Sequence, residues 1–269
     1  MTIQNISGLN SMAELRAAIR SGAFTGHTAG LAPGKLQCNI AILPAECALD
    51  FLRFCLRNPK PCPIVGVGET GDPALPTLGP DLDIRHDLPR YRLYRHGQFT
   101  EDVTDIAAHW RDDMVTVALG CSFTFERALM AAGIPMRHID QNTTVPMYRT
   151  TLPLEQGGRF GGEMVVSMRP LHGADVARAV EICARYPLAH GAPVHVGDPA
   201  AIGIAALDRP DWGDPVRIQP DEVPVFWACG VTSQNALLAA DIPLVISHAP
   251  GHMLISDIDE DAALPIWKP

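Results

Sequence analysis

Apolar and polar positions along this chain fall into short runs of two different periods. From residue 11 to 21, Met12, Leu15 and Ile19 recur at helical spacing, with Ser11 placed to cap the start and Gly22 to stop the helix. LQCNIAIL, bounded by Gly34 and Pro44, reads as a strand. A second helix is expected from about Ala45 to Leu56, ending before Asn58-Pro59. Pro59 to Pro89 is rich in proline and glycine and reads as a long ordered loop around a short strand, Ile64 to Val67.

The strongest organising signal is an internal repeat. VTVALGCSFTFERALMAAGIP, from Val115, aligns without gaps to VPVFWACGVTSQNALLAADIP, from Val223, and ten of the 21 paired positions are identical. Each copy predicts a buried strand, a tight turn, an Ala/Leu-rich helix, and a proline leading into a further strand (MRHI and LVIS). Between the copies, EMVVSMRP predicts a strand, GADVARAVEICARYP a helix with Ala177, Val180 and Ile182 inward, and APVHVGDP another strand. The fold expectation is therefore α/β: a mostly parallel sheet with helices on both faces, containing the duplicated strand-turn-helix unit. A smaller α+β domain, residues 141–215, is expected as an insertion into a discontinuous main domain of residues 1–140 and 216–269.

Composition narrows the class. With 269 residues, 47% hydrophobic and 19% charged, the chain can bury a real core. A formal charge of −9 argues against nucleic acid or an anionic membrane as the main partner. No apolar run approaches the ~20 residues of a membrane helix. Seven cysteines without a CxxC pair suit a reducing cytoplasm better than a disulfide or zinc framework. The Ala/Leu-rich helices would fit a homodimer, although nothing specifies one.

Candidate chemistry gathers at the repeat. Cys121 and Cys229 each follow a strand and precede a helix, where amides and the positive end of the helix dipole favour an anion and can lower a thiol's pKa. Packing of small apolar cysteines explains them equally well. Ser122, Thr124 and Thr232 lie in the same turns, placed to cap a helix or contact a ligand. Glu126 is a general base if it faces the cleft, and its counterpart in the second copy is Gln234. His195 and Asp198, in PVHVGDP, suit proton transfer, while an Asp before Pro also starts turns. His248 and His252 are separated by Pro250 and Gly251, which forbid a helical two-His metal site, so no metal is expected. Arg169 and Arg149 are candidate carboxylate clamps, and Asn142 and Thr143 candidate neutral hydrogen-bonding groups. GVGETG, Gly66 to Gly71, fits a dinucleotide fingerprint, but Pro73 and Pro76 prevent the helix that must follow. No nicotinamide or nucleotide cofactor is expected, and the residues specify no other.

LQCNIAILP, DFLRFCLRNPKPCP, DIRHDLPRYRLYRHG, GCSFTFE, NTTVPMY, VVSMRP, PVHVGDPAAIGI, PVFWACGVTSQ and SHAPGHMLISD, in that order, make the chain resemble the D-glutamate cyclase family, many of whose bacterial members carry a hydro-lyase name. One departure is Gln141, where an arginine is expected before Asn-Thr-Thr. The resemblance implies ring closure of D-glutamate to 5-oxo-D-proline with loss of water, or action on a related small amino or carboxylic acid. Such chemistry needs a held carboxylate, a neutral amine and donors for an oxyanion. Two rivals stand beside it: a cofactor-independent racemase using the paired cysteines, and a non-catalytic module that binds a small acid.

Overall fold

The computed structural model describes residues 11–141 and 143–262. Helix α1 (Met12–Arg20) starts where Ser11 Oγ accepts from the Glu14 amide at 3.2 Å. Leu15 and Ile19 turn inward against Phe24, Leu31 and Ile255. Strand β1 (Lys35–Pro44) runs directly into helix α2 (Ala45–Arg57). Strands β2 (Ile64–Val67), β3 (Tyr91–Arg95), β4 (Gln98–Val103) and β5 (Met114–Gly120) follow, then helices α3 (Phe123–Ala131) and α4 (Arg137–Asp140). Next come β6 (Met147–Pro153), β7 (Glu163–His172), α5 (Val176–Ala184), β8 (His195–Val196) and β9 (Glu222–Ala228). Helix α6 (Val231–Ala239), β10 (Val245–His248) and β11 (Leu254–Asp259) complete the order.

These strands form two sheets. The seven-stranded sheet runs β2-β5-β1-β10-β3-β4, with β11 also pairing with β1, and the four-stranded sheet runs β6-β7-β9-β8. Every pairing in both is antiparallel. This overturns the expectation of a mostly parallel sheet.

The reason lies in burial. Leu36, Cys38, Ile40 and Ile42 of β1 face a core closed by Leu75, Leu78, Leu82, Ile84 and Leu88 of the proline-rich segment. Ala41 and Leu43 face the opposite core, closed by Phe51 and Phe54 of α2 and by Ala236 and Leu237 of α6. A strand covered on both faces is apolar at every position whichever way its neighbours run. Continuous apolar strands therefore report two-sided burial, not direction.

The second reason is how the repeat connects. α3 leaves β5 of the large sheet but packs Phe125 and Leu129 against Leu171, Val225 and Trp227 of the small one. α6 leaves β9 of the small sheet and packs Ala236 and Leu237 onto the large one. Each copy thus hands the chain from one sheet to the other, and neither returns to pair in parallel with its own strand. Two local expectations also change. MRHI is not a strand, since α4 occupies Arg137–Asp140. In α5 the buried positions are Ala179, Ile182 and Cys183, while Ala177 is exposed.

Gly120, at the end of β5, lies hard against the segment that follows α5. A Cβ there would lie 1.5 Å from the Leu188 carbonyl oxygen. Gly120→Ala is expected to cost at least about 1–3 kcal/mol, the range for overpacking, seen as a lowered urea midpoint. Gly161→Ala, where the nearest atom is 3.6 Å from the new Cβ, should leave the midpoint nearly unchanged.

Candidate active site

The exchange of helices brings the ends of β5 and β9 together. Asn39 on β1 bridges them, with Nδ2 donating to the Gly120 carbonyl at 2.7 Å and the side chain packed against Gly230, where a Cβ would meet Nδ2 at 2.5 Å. Cys121 and Cys229 follow these strand ends, close enough that charge on Cys229 raises Cys121. Cys38 pairs across the ladder with Gly120 and feels Cys121 in turn. Met147 Sδ is 3.5 Å from Cys229 Sγ.

Beneath them lies a buried polar cluster. Arg169 of β7 is 1% exposed and Glu126 of α3 is 4% exposed. Arg169 Nε donates to Glu126 Oε1 at 3.0 Å, and Nη2 makes a further short bond to the same oxygen. Nη1 donates to Ser167 Oγ at 3.0 Å and Nη2 to Ser122 Oγ at 3.3 Å. The guanidinium lies over Phe125 at 4.9 Å and Trp227 at 5.3 Å. His138 Nε2 is 3.1 Å from Glu126 Oε1. Burial alone would push the Glu126 carboxyl up, but the Arg169 charge and His138 override it and hold it at about 2. Arg169 is thus committed to Glu126, and its fork is not open to a ligand.

Two opposing influences act on the thiols. The Phe123 amide favours a Cys121 thiolate, and the Val231 and Gly230 amides favour one at Cys229, with Arg169 adding to both. Burial outweighs them. Cys121 is pushed up to about 12 and Cys229 is raised, so both rest as thiols. The pair is not equivalent: Cys229 has two amide donors, whereas Cys121 has one and faces Glu126 and Cys229.

The two threonines differ as well. Thr232 Oγ1 accepts from the Val165 amide at 3.0 Å and donates to its carbonyl at 3.2 Å, tying α6 to β7. Thr124 Oγ1 is buried without a hydrogen-bond partner among the described residues. The first copy of the repeat therefore keeps a polar atom to offer where the second has used it.

Other candidates lie elsewhere. His195 packs its ring against Phe226, and its Nε2 is 2.7 Å from the Asp198 carbonyl. Asp198 caps the turn at 199–202 by accepting from the Ala200 amide. His248 Nδ1 accepts from the Ile40 amide at 3.2 Å, and burial lowers its pKa to about 4. His252 stacks edge-on with His27. Arg149 lies over Trp212 and lines a cleft of about 400 Å³ with Tyr148, Ile204 and Arg209, a lining that includes neither cysteine. Thr143 Oγ1 donates to the His138 carbonyl at 3.3 Å. Asn142 lies outside the described residues. Among the described residues no group of three or more His, Cys, Asp or Glu side chains is arranged to hold a metal ion.

Sequence reasoning missed His138, Ser167 and Asn39. Ser167 and Arg169 stand two apart in VVSMRP, so period-2 alternation already put both on one face of a strand. His138 carried no such signal, because MRHI reads as a strand and folds as a helical turn.

The buried pair sets two expectations. Glu126→Ala leaves Arg169 uncompensated and should cost about 3–5 kcal/mol, whereas Glu126→Leu with Arg169→Met should recover most of that loss. A carboxyl held below its ordinary 4.5 stabilises the fold above that pH, and the contribution disappears as pH falls towards about 2. Urea midpoints measured across that window should fall steeply in the wild type and more gently in the double variant.

A family model described as D-glutamate cyclase matches residues 115–257, from the first repeat to the last strand. A protein of Jannaschia sp. (strain CCS1) is 64% identical over 264 residues, covering 97% of this chain and 99% of that protein. A protein of Dinoroseobacter shibae is 59% identical over 258 residues, covering 96% and 86%. Both bear the name "Putative hydro-lyase". A Bordetella petrii protein of the same general name is 56% identical and covers 96% and 97%. Identity at this level along almost the whole chain, together with the matched model, places the protein in the D-glutamate cyclase family.

Proposed function

We propose that this chain, a lyase of the hydro-lyase class, closes D-glutamate to 5-oxo-D-proline with release of water. The observation that carries the reading is the meeting of two helix starts, each with its cysteine, above the buried Arg169–Glu126 pair. Ring closure joins the amine nitrogen to the γ-carboxyl carbon and breaks one carbon–oxygen bond. Two protons leave the ammonium and both end on the departing oxygen, which leaves as water. One group must accept a proton near nitrogen and another must donate one at oxygen.

The unequal thiols suit that division. Cys229, favoured by two amides and Arg169, is the side on which a thiolate forms and takes the amine proton. Cys121, held up at about 12, stays protonated and donates to the departing oxygen. First-turn amides of α3 and α6 support the oxyanion of the tetrahedral intermediate. Arg169 contributes its field, since its hydrogen bonds go to Glu126, Ser167 and Ser122. Thr124 Oγ1, a buried polar atom of the first turn of α3 without a partner among the described residues, contacts the substrate.

The test is NMR of the protein with D- and L-glutamate in deuterium oxide. 5-Oxoproline should appear from the D-isomer, and Cys121→Ala and Cys229→Ala should each lower the rate about a hundredfold or more. Activity within a few-fold of wild type in either variant removes that thiol from the scheme. Paired thiols from two repeats also suit α-proton exchange. Deuterium entering the α position without ring closure would assign the site to racemisation instead.

A further inference from the structure

Arg149, a carboxylate clamp by its sequence, has no part in the scheme above, and the fold seats it in a cleft of its own. The cleft encloses about 400 Å³, and its lining includes Tyr148, Arg149, Ala205, Ala206, Arg209 and Asp211. Sites for small ligands run from roughly 300 to 1,000 Å³. One wall is β6, and the other belongs to the stretch 203–221, which forms no helix or strand. Loops longer than about 12–15 residues without secondary structure are usually functional. This one is fastened to β6 at three places. Tyr148 Oη donates to the Leu207 carbonyl at 2.7 Å, the Asp211 amide donates to the Met147 carbonyl at 3.0 Å, and the Met147 amide donates to the Trp212 carbonyl at 2.9 Å. The shape of the cleft is therefore set before any ligand enters.

Three charged groups line this space, and their own contacts leave them open. The Arg149 guanidinium lies over the Trp212 ring at 4.9 Å, and its Nε edge is 3.5 Å from Asp211 Oδ1. Its two terminal nitrogens have no hydrogen bond among the described residues. Asp211 Oδ2 accepts from the Arg149 amide at 2.9 Å, which fixes the carboxylate and still leaves it lone pairs to offer. Arg209 has neither a hydrogen bond nor an ion pair among the described residues, and Asp208 beside it does not line the cleft.

Two cations and one anion are the complement of an amino dicarboxylic acid, which carries two carboxylates and one ammonium. A guanidinium fork matches a carboxylate, and stacking on Trp212 holds one of the forks in orientation. Phosphate would meet Asp211 as a like charge, and a plain diacid would bring it no counterion. We propose that this cleft is a binding site for a small amino dicarboxylic acid, with Arg149 and Arg209 receiving its carboxylates and Asp211 its ammonium. The inference rests on the glutamate reading and deepens it: Arg169 is closed by Glu126, so holding a carboxylate falls to other arginines. The register of β6 agrees. Met147 and Arg149 stand two apart on that strand and share a face, and Met147 Sδ is the atom 3.5 Å from Cys229 Sγ.

The experiment is titration calorimetry at low ionic strength on the full chain carrying Cys121→Ala and Cys229→Ala, with D-glutamate, glutarate and inorganic phosphate as probes. D-Glutamate should bind, and Arg209→Met and Arg149→Lys should each weaken it about tenfold or more. Glutarate and phosphate should also bind about tenfold or more weakly than D-glutamate. Arg209→Met removes no internal bond, so its urea midpoint should match the parent's. No binding of D-glutamate, an affinity that neither arginine variant changes, or glutarate or phosphate binding as tightly as D-glutamate overturns the proposal. If the protein with both cysteines cyclises D-glutamate and Arg209→Met leaves KM unchanged, this inference alone falls. If the arginine variants lose binding as expected but the native protein forms no 5-oxoproline, the cyclase reading falls and the cleft stands.

Discussion

The buried pair of Arg169 and Glu126 ties the rest of the structure together. Arg169 belongs to a strand of the small sheet, and Glu126 to the helix that leaves the large one. Burying two charges is costly unless each is matched in geometry and its remaining hydrogen bonds are met. Here Ser122 and Ser167 meet them for the guanidinium, and Phe125 and Trp227 close over it. That demand permits one seating of α3 on the small sheet. With α3 fixed, the end of β5 and the first turn after it are fixed too.

The crossing of the two helices is the architectural counterpart. A strand-turn-helix unit normally folds its helix back over its own sheet. In this protein each copy sends its helix to the other sheet, so the two turns meet rather than lying far apart on separate edges. Asn39 and the absent side chains at Gly120 and Gly230 let the backbones come that close. The copies are alike in backbone and unlike in chemistry. Glu126 against Gln234, and an unpartnered Thr124 against a fully bonded Thr232, give the site two different sides.

Electrostatics at the thiols show how burial and dipole compete. First-turn amides pull each thiol pKa down, and removal from water pushes it up by more. A site that keeps its sulfurs protonated until charge arrives is protected from adventitious reaction, because the thiolate is the nucleophile.

Local pattern carried much of this molecule. Ser11, Pro44 and Asn58 bound α1 and α2 near where spacing and capping chemistry put them, and both cysteines stand beyond strand ends and ahead of helices. The repeat was legible because its identities survive at the positions that shape strand, turn and helix. Strand direction was not, since two-sided burial leaves the same apolar trace in either orientation. Arg169 read as an open clamp because its partner lies 43 residues away in sequence. The sequence by itself determined the first two helices, the strands and helices of the repeat, the duplication and the family. Tertiary structure decided which sheet each helix joins, which charges neutralise each other, and that both thiols are pushed up by burial, because all three depend on groups distant in the chain and excluded from water together.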